Sequence, residues 1–160
     1  MIRYALYNNK KYFWSIPRPS GFSLTLVSME VKTDTKEKFH VIRVETSELP
    51  ANLAAELNRQ LLELLKDTIK NVVVNLRTVK SMDQESAEML VRTQQKFYEE
   101  NASFVFCELQ PDLEQYLDVQ ELLELMNVTP TESEAYDIVQ MEEIERELLG
   151  GDDFDEEEKS

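Results

Sequence analysis

The sequence predicts an α/β fold, with a mixed sheet of four to five strands and about four helices packed mainly on one side. Two observations support this prediction. Short β-prone runs alternate with helix-length segments in the order β-β-α-β-α-β-α-α, and parallel strands joined in this way need right-handed crossovers that place helices against a sheet. The chain has 160 residues, of which 42% are hydrophobic, so it can bury the core of one ordinary domain.

The first elements are a predicted hairpin, a helix and a central strand. Two β-prone runs, Glu30–Thr35 and Phe39–Glu45, are separated by three charged residues. Leucines then recur at three- and four-residue spacing after Pro50, which predicts an amphipathic helix of about four turns. Residues 71–76 form a short β-branched run typical of strands buried on both faces, so we expect this strand in the centre of the sheet.

The next elements repeat the alternation of helix and strand. A helix is predicted to begin at Asp83, a good amino-terminal cap, and to carry an apolar stripe through residues 87–98. Residues 103–109 read as a further strand. A helix is predicted to start at Pro111 and to be extended by apolar residues as far as Met126.

The last helix is predicted from a capping box. Residues 127–130 read as an extended link, and the Thr-Glu-Ser-Glu sequence at 131–134 has the spacing of a box that begins a helix. Gly150 and Gly151 are predicted to end this helix, and the acidic residues 150–160 are predicted to form a disordered tail. The apolar residues expected on the inner face of the helix are Ala135, Ile138, Met141, Ile144 and Leu148.

Charge and composition exclude several classes of function. The formal net charge of −15 argues against DNA or RNA as a partner, because nucleic-acid binders need clustered Lys and Arg. No apolar stretch approaches the length of a membrane span, so we expect no direct membrane insertion. One cysteine and one histidine, Cys107 and His40, fit a reducing cytoplasm and provide no metal site.

Residues 1–28 differ from the rest of the chain. They contain four basic residues and no acidic residue, and they are rich in aromatic residues interrupted by Pro and Gly. No continuous apolar region of a secretory signal is present. This basic, aromatic-rich extension is either dispensable or a misassigned start, with Met29 as the working start, or it is a docking arm that uses its aromatic side chains.

No catalytic constellation is found in the sequence. There is no Gly-rich phosphate loop, no nucleophile elbow, and no histidine beside a plausible Ser or Cys. His40 and Cys107 lie within strand patterns and are interpreted as packing residues. The acidic residues of the last helix lack the order of a calcium loop, so we interpret them as solvated surface, with a basic partner surface as the alternative. We expect no enzyme activity and no cofactor.

The most informative segment is Ser81, Met82, Asp83, Gln84, Glu85 and Ser86. It lies between a predicted central strand and the start of a helix, where open α/β sheets commonly carry their sites. A helix amino terminus favours anions, so it suits a phosphoserine or a resident carboxylate such as Glu85. In the purely structural interpretation, Asp83 caps the helix and Glu85 complements its dipole.

Three stretches, in matching order and spacing, resemble a known family. Residues 46–49 (Thr-Ser-Glu-Leu) are similar to a Gly-Glu-Leu-Asp passage, residues 71–83 to a strand and loop leading to Asp-Ser-Ser-Gly, and residues 104–111 to a strand running into a Pro-initiated helix. The family is that of the STAS domains, named for sulfate transporters and anti-sigma factor antagonists. The resemblance covers about residues 29–149, and residues 141–148 resemble the end of stand-alone bacterial members.

The resemblance implies a STAS-type sheet and a role in binding proteins. In the anti-sigma factor antagonists, a partner kinase that is itself the anti-sigma factor phosphorylates a serine of the Asp-Ser-Ser-Gly loop and so switches binding off. By resemblance, Asp83 occupies the Asp position and Glu85 the phosphoserine position, while Gln-Glu-Ser at 84–86 replaces Ser-Ser-Gly. Ser81 and Ser86 remain as displaced acceptors, and Pro50 replaces the acid of the earlier passage.

Two functions are therefore open. The first is a bacterial module for partner-switching regulation of transcription, binding a GHKL-type anti-sigma kinase or a related regulator, with the usual phospho-acceptor replaced by Glu85. The second is a constitutive STAS adaptor subunit of a transport or signalling complex, without a switch. The missing serine favours the second function, whereas the resemblance to stand-alone antagonists favours the first.

Overall fold

The computed structural model describes the backbone of residues 29–159 and the side chains of residues 29–149. The predictions made for residues 1–28 lie outside the described residues. In chain order, the elements are β1 (Glu30–Thr35), β2 (Phe39–Glu45), β3 (Glu48–Leu49), α1 (Ala51–Glu63), β4 (Asn71–Asn75), β5 (Ser81–Met82), α2 (Gln84–Glu99), β6 (Phe104–Cys107), α3 (Pro111–Val119), β7 (Val128–Thr129) and α4 (Glu132–Lys159). Short 3-10 helices, Leu64–Lys66 and Leu123–Leu125, lie after α1 and α3.

Five strands form the main sheet, in the order β1-β2-β4-β6-β7. The first two strands are antiparallel, with Val31 opposite Val44, which confirms the predicted hairpin. The other neighbours are parallel, so the sheet is mixed, and β4 lies at its centre as the β-branched run predicts. The strands β3 and β5 form a separate parallel pair.

The main core lies between one face of the sheet and the helices α1, α2 and α3. Val72 and Val74 of the central strand belong to this core, together with Phe104 and Phe106 of its neighbour. The rings of these two phenylalanines pack edge to face, 5.1 Å apart, and Phe97 of α2 packs 4.9 Å from the ring of Phe104. Three of the four helices therefore cover one side of the sheet, as predicted.

Helix α4 covers the opposite face of the sheet. Val73 and Val105, which alternate along their strands with the residues of the main core, form a second cluster with Ala135 and Val139. Cys107 is fully buried in this cluster, which confirms its interpretation as a packing residue. Because both faces are covered, all five residues of β4 are buried.

His40 is also a packing residue, as predicted. Its side chain is 4% exposed, and its Nε2 donates to the carbonyl oxygen of Ile69 at 2.9 Å. The other ring nitrogen, Nδ1, lies 2.9 Å from the hydroxyl oxygen of Thr35. The imidazole therefore ties the hairpin to the segment that enters β4.

Helix α3 ends earlier than the prediction, at Val119 and not near Met126. Glu121 adopts the left-handed conformation, with φ of 61°, and the N–H of Leu122 donates to the carbonyl oxygen of Leu117 at 2.9 Å. This is the closing hydrogen bond of a left-handed helix terminus, made here without glycine. The predicted link at 127–130 contains the short edge strand β7, which pairs with β6.

The start of α4 agrees with the prediction, but its end does not. The N–H of Glu134 donates to Oγ1 of Thr131 at 3.2 Å, as the capping box requires. The helix then continues through Gly150 and Gly151 to Lys159, where the sequence predicts a disordered tail. Glu and Lys favour helix, whereas each glycine opposes it by only about 1 kcal/mol.

The apolar residues predicted for the inner face of α4 lie on two different sides. Ala135 is buried and Ile138 packs against the second cluster, as predicted. Met141, Ile144 and Leu148 are instead 50%, 55% and 63% exposed, so the prediction of an inner face is wrong for them. At this end the sheet presents polar groups, and polar side chains of α4 face them.

Candidate functional site

The predicted site lies where two helices begin side by side. The strands β3 and β5 pair in parallel, with Leu49 opposite Met82, and each leads directly into a helix, α1 or α2. The N–H of Lys80 donates to the carbonyl oxygen of Ser47 at 2.8 Å, which extends the pairing. The two amino termini, each the positive end of a helix dipole, are therefore held next to each other.

Asp83 lies at the predicted cap position but bonds to the other helix. It has the extended backbone of a cap residue, with φ of −73° and ψ of 158°, yet its side chain makes no capping hydrogen bond to α2. Its Oδ2 instead accepts a hydrogen bond from the N–H of Ala51, the first residue of α1, at 3.2 Å. The carboxylate therefore links the two helix starts.

The segment 81–86 contains four exposed and two buried side chains. Ser81, Asp83, Gln84 and Glu85 are exposed, whereas Met82 is 7% exposed and Ser86 is fully buried. The hydroxyl of Ser86 donates to the carbonyl oxygen of Leu49 at 2.9 Å. The side chain of Ser86 is thus a structural tie to β3, and its hydroxyl is not presented to a modifying enzyme.

The exposed part of the site is acidic and lies on rigid elements. Glu85 occupies the first turn of α2, where the helix dipole favours a carboxylate. Glu48 of the neighbouring strand β3 is also exposed, and Gln84 is held by a hydrogen bond of 3.0 Å to Glu88. Such a surface can recognise a complementary protein surface, since it is built on regular secondary structure and its charged groups face solvent.

A second polar cluster, which the sequence does not predict, lies at the carboxyl ends of β2 and β4. Arg43 donates from Nε and Nη2 to the two carboxylate oxygens of Glu132, at 3.0 and 2.8 Å. Asn75 and Tyr136 donate to the same carboxylate, both at 2.8 Å. Arg43, Asn75 and Glu132 border a polar cavity of about 320 Å³. Their hydrogen bonds tie the first turn of α4 to the sheet.

The pKa shifts in this second cluster follow from burial and from Glu132. Burial opposes the charge of Glu132, but the hydrogen bonds from Arg43, Asn75 and Tyr136 outweigh it and lower the pKa of the carboxyl group. Burial, with the nearby Glu132, raises the pKa of Cys107 to about 12. The thiol therefore stays protonated and unreactive near neutral pH.

Neither cluster is arranged as a metal centre. Among the side chains of residues 29–149, no group of three His, Cys, Asp or Glu is placed to hold a metal ion. A larger cavity of about 570 Å³ lies between the hairpin and α1 and is lined by both apolar and polar side chains. In the part of the chain that the structure describes, no helix is long and apolar enough to cross a membrane.

Comparison with known families identifies the domain. A family model for the STAS domain matches residues 30–135, about two thirds of the chain. The chain belongs to the STAS domain family. The STAS match ends within the first turns of α4, so it includes the candidate site, all five strands of the main sheet and the ties made by Arg43.

Solved structures share the STAS fold at low sequence identity. An anti-sigma factor antagonist from Mycobacterium paratuberculosis is 18% identical, with a TM-score of 0.62 over 71% of this chain and 95% of that chain. A serine-to-glutamate variant of RsbS from Moorella thermoacetica is 15% identical, with a TM-score of 0.57 over 69% and 94%. The phosphorylated form of the Bacillus cell fate determinant SpoIIAA is 15% identical, with a TM-score of 0.52 over 70% and 99%. No curated protein matches this sequence closely enough to count as a relative.

Proposed function

We propose that this STAS domain is a protein-binding module of the anti-sigma factor antagonist type, acting in partner-switching regulation of transcription in the bacterial cytoplasm. It binds a GHKL-type anti-sigma kinase or a related regulator through segment 81–86 and the start of α2. The observation that carries the proposal is the pair of helix starts, linked by Asp83, which presents Glu85 to solvent from a rigid support.

In this function, Glu85 stands at the position where the anti-sigma factor antagonists carry the serine that is phosphorylated. A glutamate carries about one negative charge and a phosphoserine about 1.5 to 2, so Glu85 acts as a weak, permanent mimic of the phosphorylated state. The solved relatives include a phosphorylated SpoIIAA and a serine-to-glutamate variant of RsbS, and this favours a charge-controlled surface on the same fold. Partner binding is then weakened continuously and is not controlled by a kinase.

The geometry of the site favours binding over catalysis. The exposed residues of 81–86 are one serine, one amide and two carboxylates, and no histidine or thiol lies beside them, since His40 and Cys107 are buried elsewhere. A nucleophile needs an adjacent base to become active. The arrangement therefore supports recognition of a partner surface.

The test is the affinity of the full chain for the GHKL-type anti-sigma kinase of its own organism, measured by titration calorimetry. Glu85→Ala should bind about tenfold more tightly than the wild type, a difference of about 1.4 kcal/mol. Glu99→Ala, at the exposed far end of the same helix, is the matched control and should leave the affinity unchanged. Equal or weaker binding by Glu85→Ala contradicts the proposal.

A second variant tests the switch itself. In Glu85→Ser, incubation with the kinase and ATP should add one phosphate, and mass spectrometry of peptides should place it at position 85. Binding of the phosphorylated variant should then fall to the wild-type level or below it. If phosphate appears instead at Ser81 in the wild type, the switch exists at a shifted position and Glu85 is not its replacement.

A further inference from the structure

The second half of α4 has its polar side toward the domain and its apolar side toward solvent. Met141, Ile144 and Leu148 are spaced by three and four residues, so they form one stripe along the helix. All three are at least half exposed, and Leu149 beside them is 61% exposed. The described residues contain six exposed large apolar side chains, and four of them lie on this helix, so exposure is concentrated at one place.

Polar contacts on the opposite side of α4, which faces the domain, explain why this stripe faces solvent. Glu142 accepts hydrogen bonds from the hydroxyls of Tyr98 and Ser103, at 3.0 and 2.5 Å. Glu143 accepts from the side chain of Asn71 at 3.0 Å.

Arg146 donates to Ser103 and to Glu143 of the same helix, at 3.0 and 3.1 Å. A helix that is held by polar contacts on one side cannot turn its opposite side inward. The apolar stripe therefore stays exposed among the described residues and is available to a group from outside them.

The charge of α4 indicates whether a second copy of the chain or a basic segment is the better partner for the stripe. Between residues 132 and 149, α4 carries seven acidic residues and one base, Arg146, a net charge of −6. Glu145 and Glu147 are both exposed and flank the stripe, and Glu147 also pairs with Lys38 at 3.3 Å. Two such helices packed against each other would place like charges together, which disfavours a symmetric dimer through this face.

Residues 1–28 have the composition that the stripe requires. They carry four basic residues and no acidic residue, and six of them are aromatic: Tyr4, Tyr7, Tyr12, Phe13, Trp14 and Phe22. Extended, 28 residues reach about 90 Å, whereas a small domain is about 30 Å across, so the segment can reach any face of its own domain. Its aromatic rings suit an apolar stripe and its bases suit the flanking glutamates.

We propose that residues 1–28 dock on the stripe formed by Met141, Ile144 and Leu148 of the same chain. The segment covers the apolar side of α4, and its Lys and Arg residues pair with Glu145. This docking is independent of segment 81–86, which lies on other elements, so the failure of either proposal leaves the other standing.

The test uses the fluorescence of Trp14, the only tryptophan of the full chain. In the wild type, Trp14 should be protected from acrylamide, and its emission should lie at shorter wavelength than in the urea-denatured chain. In the double variant Ile144→Ser and Leu148→Ser, protection should be lost and the emission should shift to that of the denatured chain. The matched control is Val119→Ser with Leu125→Ser, which removes two exposed apolar side chains from other elements and should keep Trp14 protected.

A second variant keeps the test valid if the stripe variant unfolds. Lys10→Glu with Lys11→Glu leaves α4 unchanged and should increase both the acrylamide quenching of Trp14 and the hydrogen exchange of residues 141–149. The proposal is overturned if wild-type Trp14 is quenched as in the denatured chain, or if neither variant changes its protection. Protection that appears only as protein concentration rises would mean that a second copy supplies the segment, which also overturns docking within one chain.

Discussion

Replacing Glu132 tests how α4 is held to the sheet. In Glu132→Gln, the negative charge is lost and one of the two carboxylate oxygens is replaced by an amide NH₂. This NH₂ cannot accept the hydrogen bonds that Arg43, Asn75 and Tyr136 donate. Removing one partner of a buried ion pair costs about 3–5 kcal/mol. The side chains of Arg43 and Glu132 are 33% and 18% exposed, so solvent recovers part of this cost. We expect a loss of about 2–3 kcal/mol in the free energy of unfolding.

The pH dependence of the same variant gives an independent measurement. The pKa of Glu132 is lower in the folded chain than its ordinary value of 4.5, so the carboxylate stabilises the fold above that pH. This contribution is lost as the pH falls below 4.5 and through the folded pKa. The wild type should therefore lose stability more steeply than Glu132→Gln over this acid range, as urea denaturation followed by circular dichroism would show.

A neighbouring glutamate provides the control for this prediction. Glu134→Gln changes the same chemical group on the same turn, but its side chain is exposed. It should change the free energy of unfolding by less than about 0.5 kcal/mol. By calorimetry, Glu132→Gln should melt about 4–12 °C below the wild type. Equal melting temperatures for the two variants would refute the structural role given to Glu132.

Three further predictions follow from single contacts. Burial raises the pKa of Cys107 to about 12, so a thiol reagent near neutral pH should label this residue only as fast as the chain unfolds around it. Equally fast labelling in native buffer and in urea would contradict the burial of Cys107. Ser86→Ala should lower the free energy of unfolding, measured by urea denaturation, by about 1 kcal/mol. Ser86→Glu should lower it further because it buries a charge. Ser81→Glu is the exposed control and should be nearly neutral, so equal losses at both serines would argue against the buried tie. Thr131→Ala should lower the free energy of unfolding by about 1 kcal/mol, because the cap of α4 is lost. If Ser133→Ala lowers it by as much, the cap at Thr131 does not stabilise the fold.

Local features of the fold are predicted from the sequence, whereas pairing between distant segments is not. The hairpin bounds and the cap at Thr131 follow from patterns within a few residues, and the structure confirms both. The parallel pair of β3 and β5 joins two-residue strands that are more than thirty residues apart in sequence. Such short runs carry no pattern, so their pairing depends on where α1 and α2 pack.

The candidate site shows the same limit. The sequence places Asp83 at a helix start, but no local pattern indicates that its carboxylate bonds to Ala51. For α4, the spacing of Met141, Ile144 and Leu148 shows that they share one side of the helix. It does not show which side faces the sheet, because that depends on Asn71 and other polar groups of distant strands.

Within segment 81–86, the exposed residues that we propose to contact a partner are largely distinct from the residues that hold the fold. Gln84 and Glu85 are exposed and can be exchanged at little energetic cost, whereas Ser86 and Asp83 make ties to the start of α1 and the strand before it. If Glu85 stands at the switched position, as we propose, that residue can be exchanged at little cost to the stability of the fold. Under the proposed function, the regulatory chemistry could then change while the architecture stays the same.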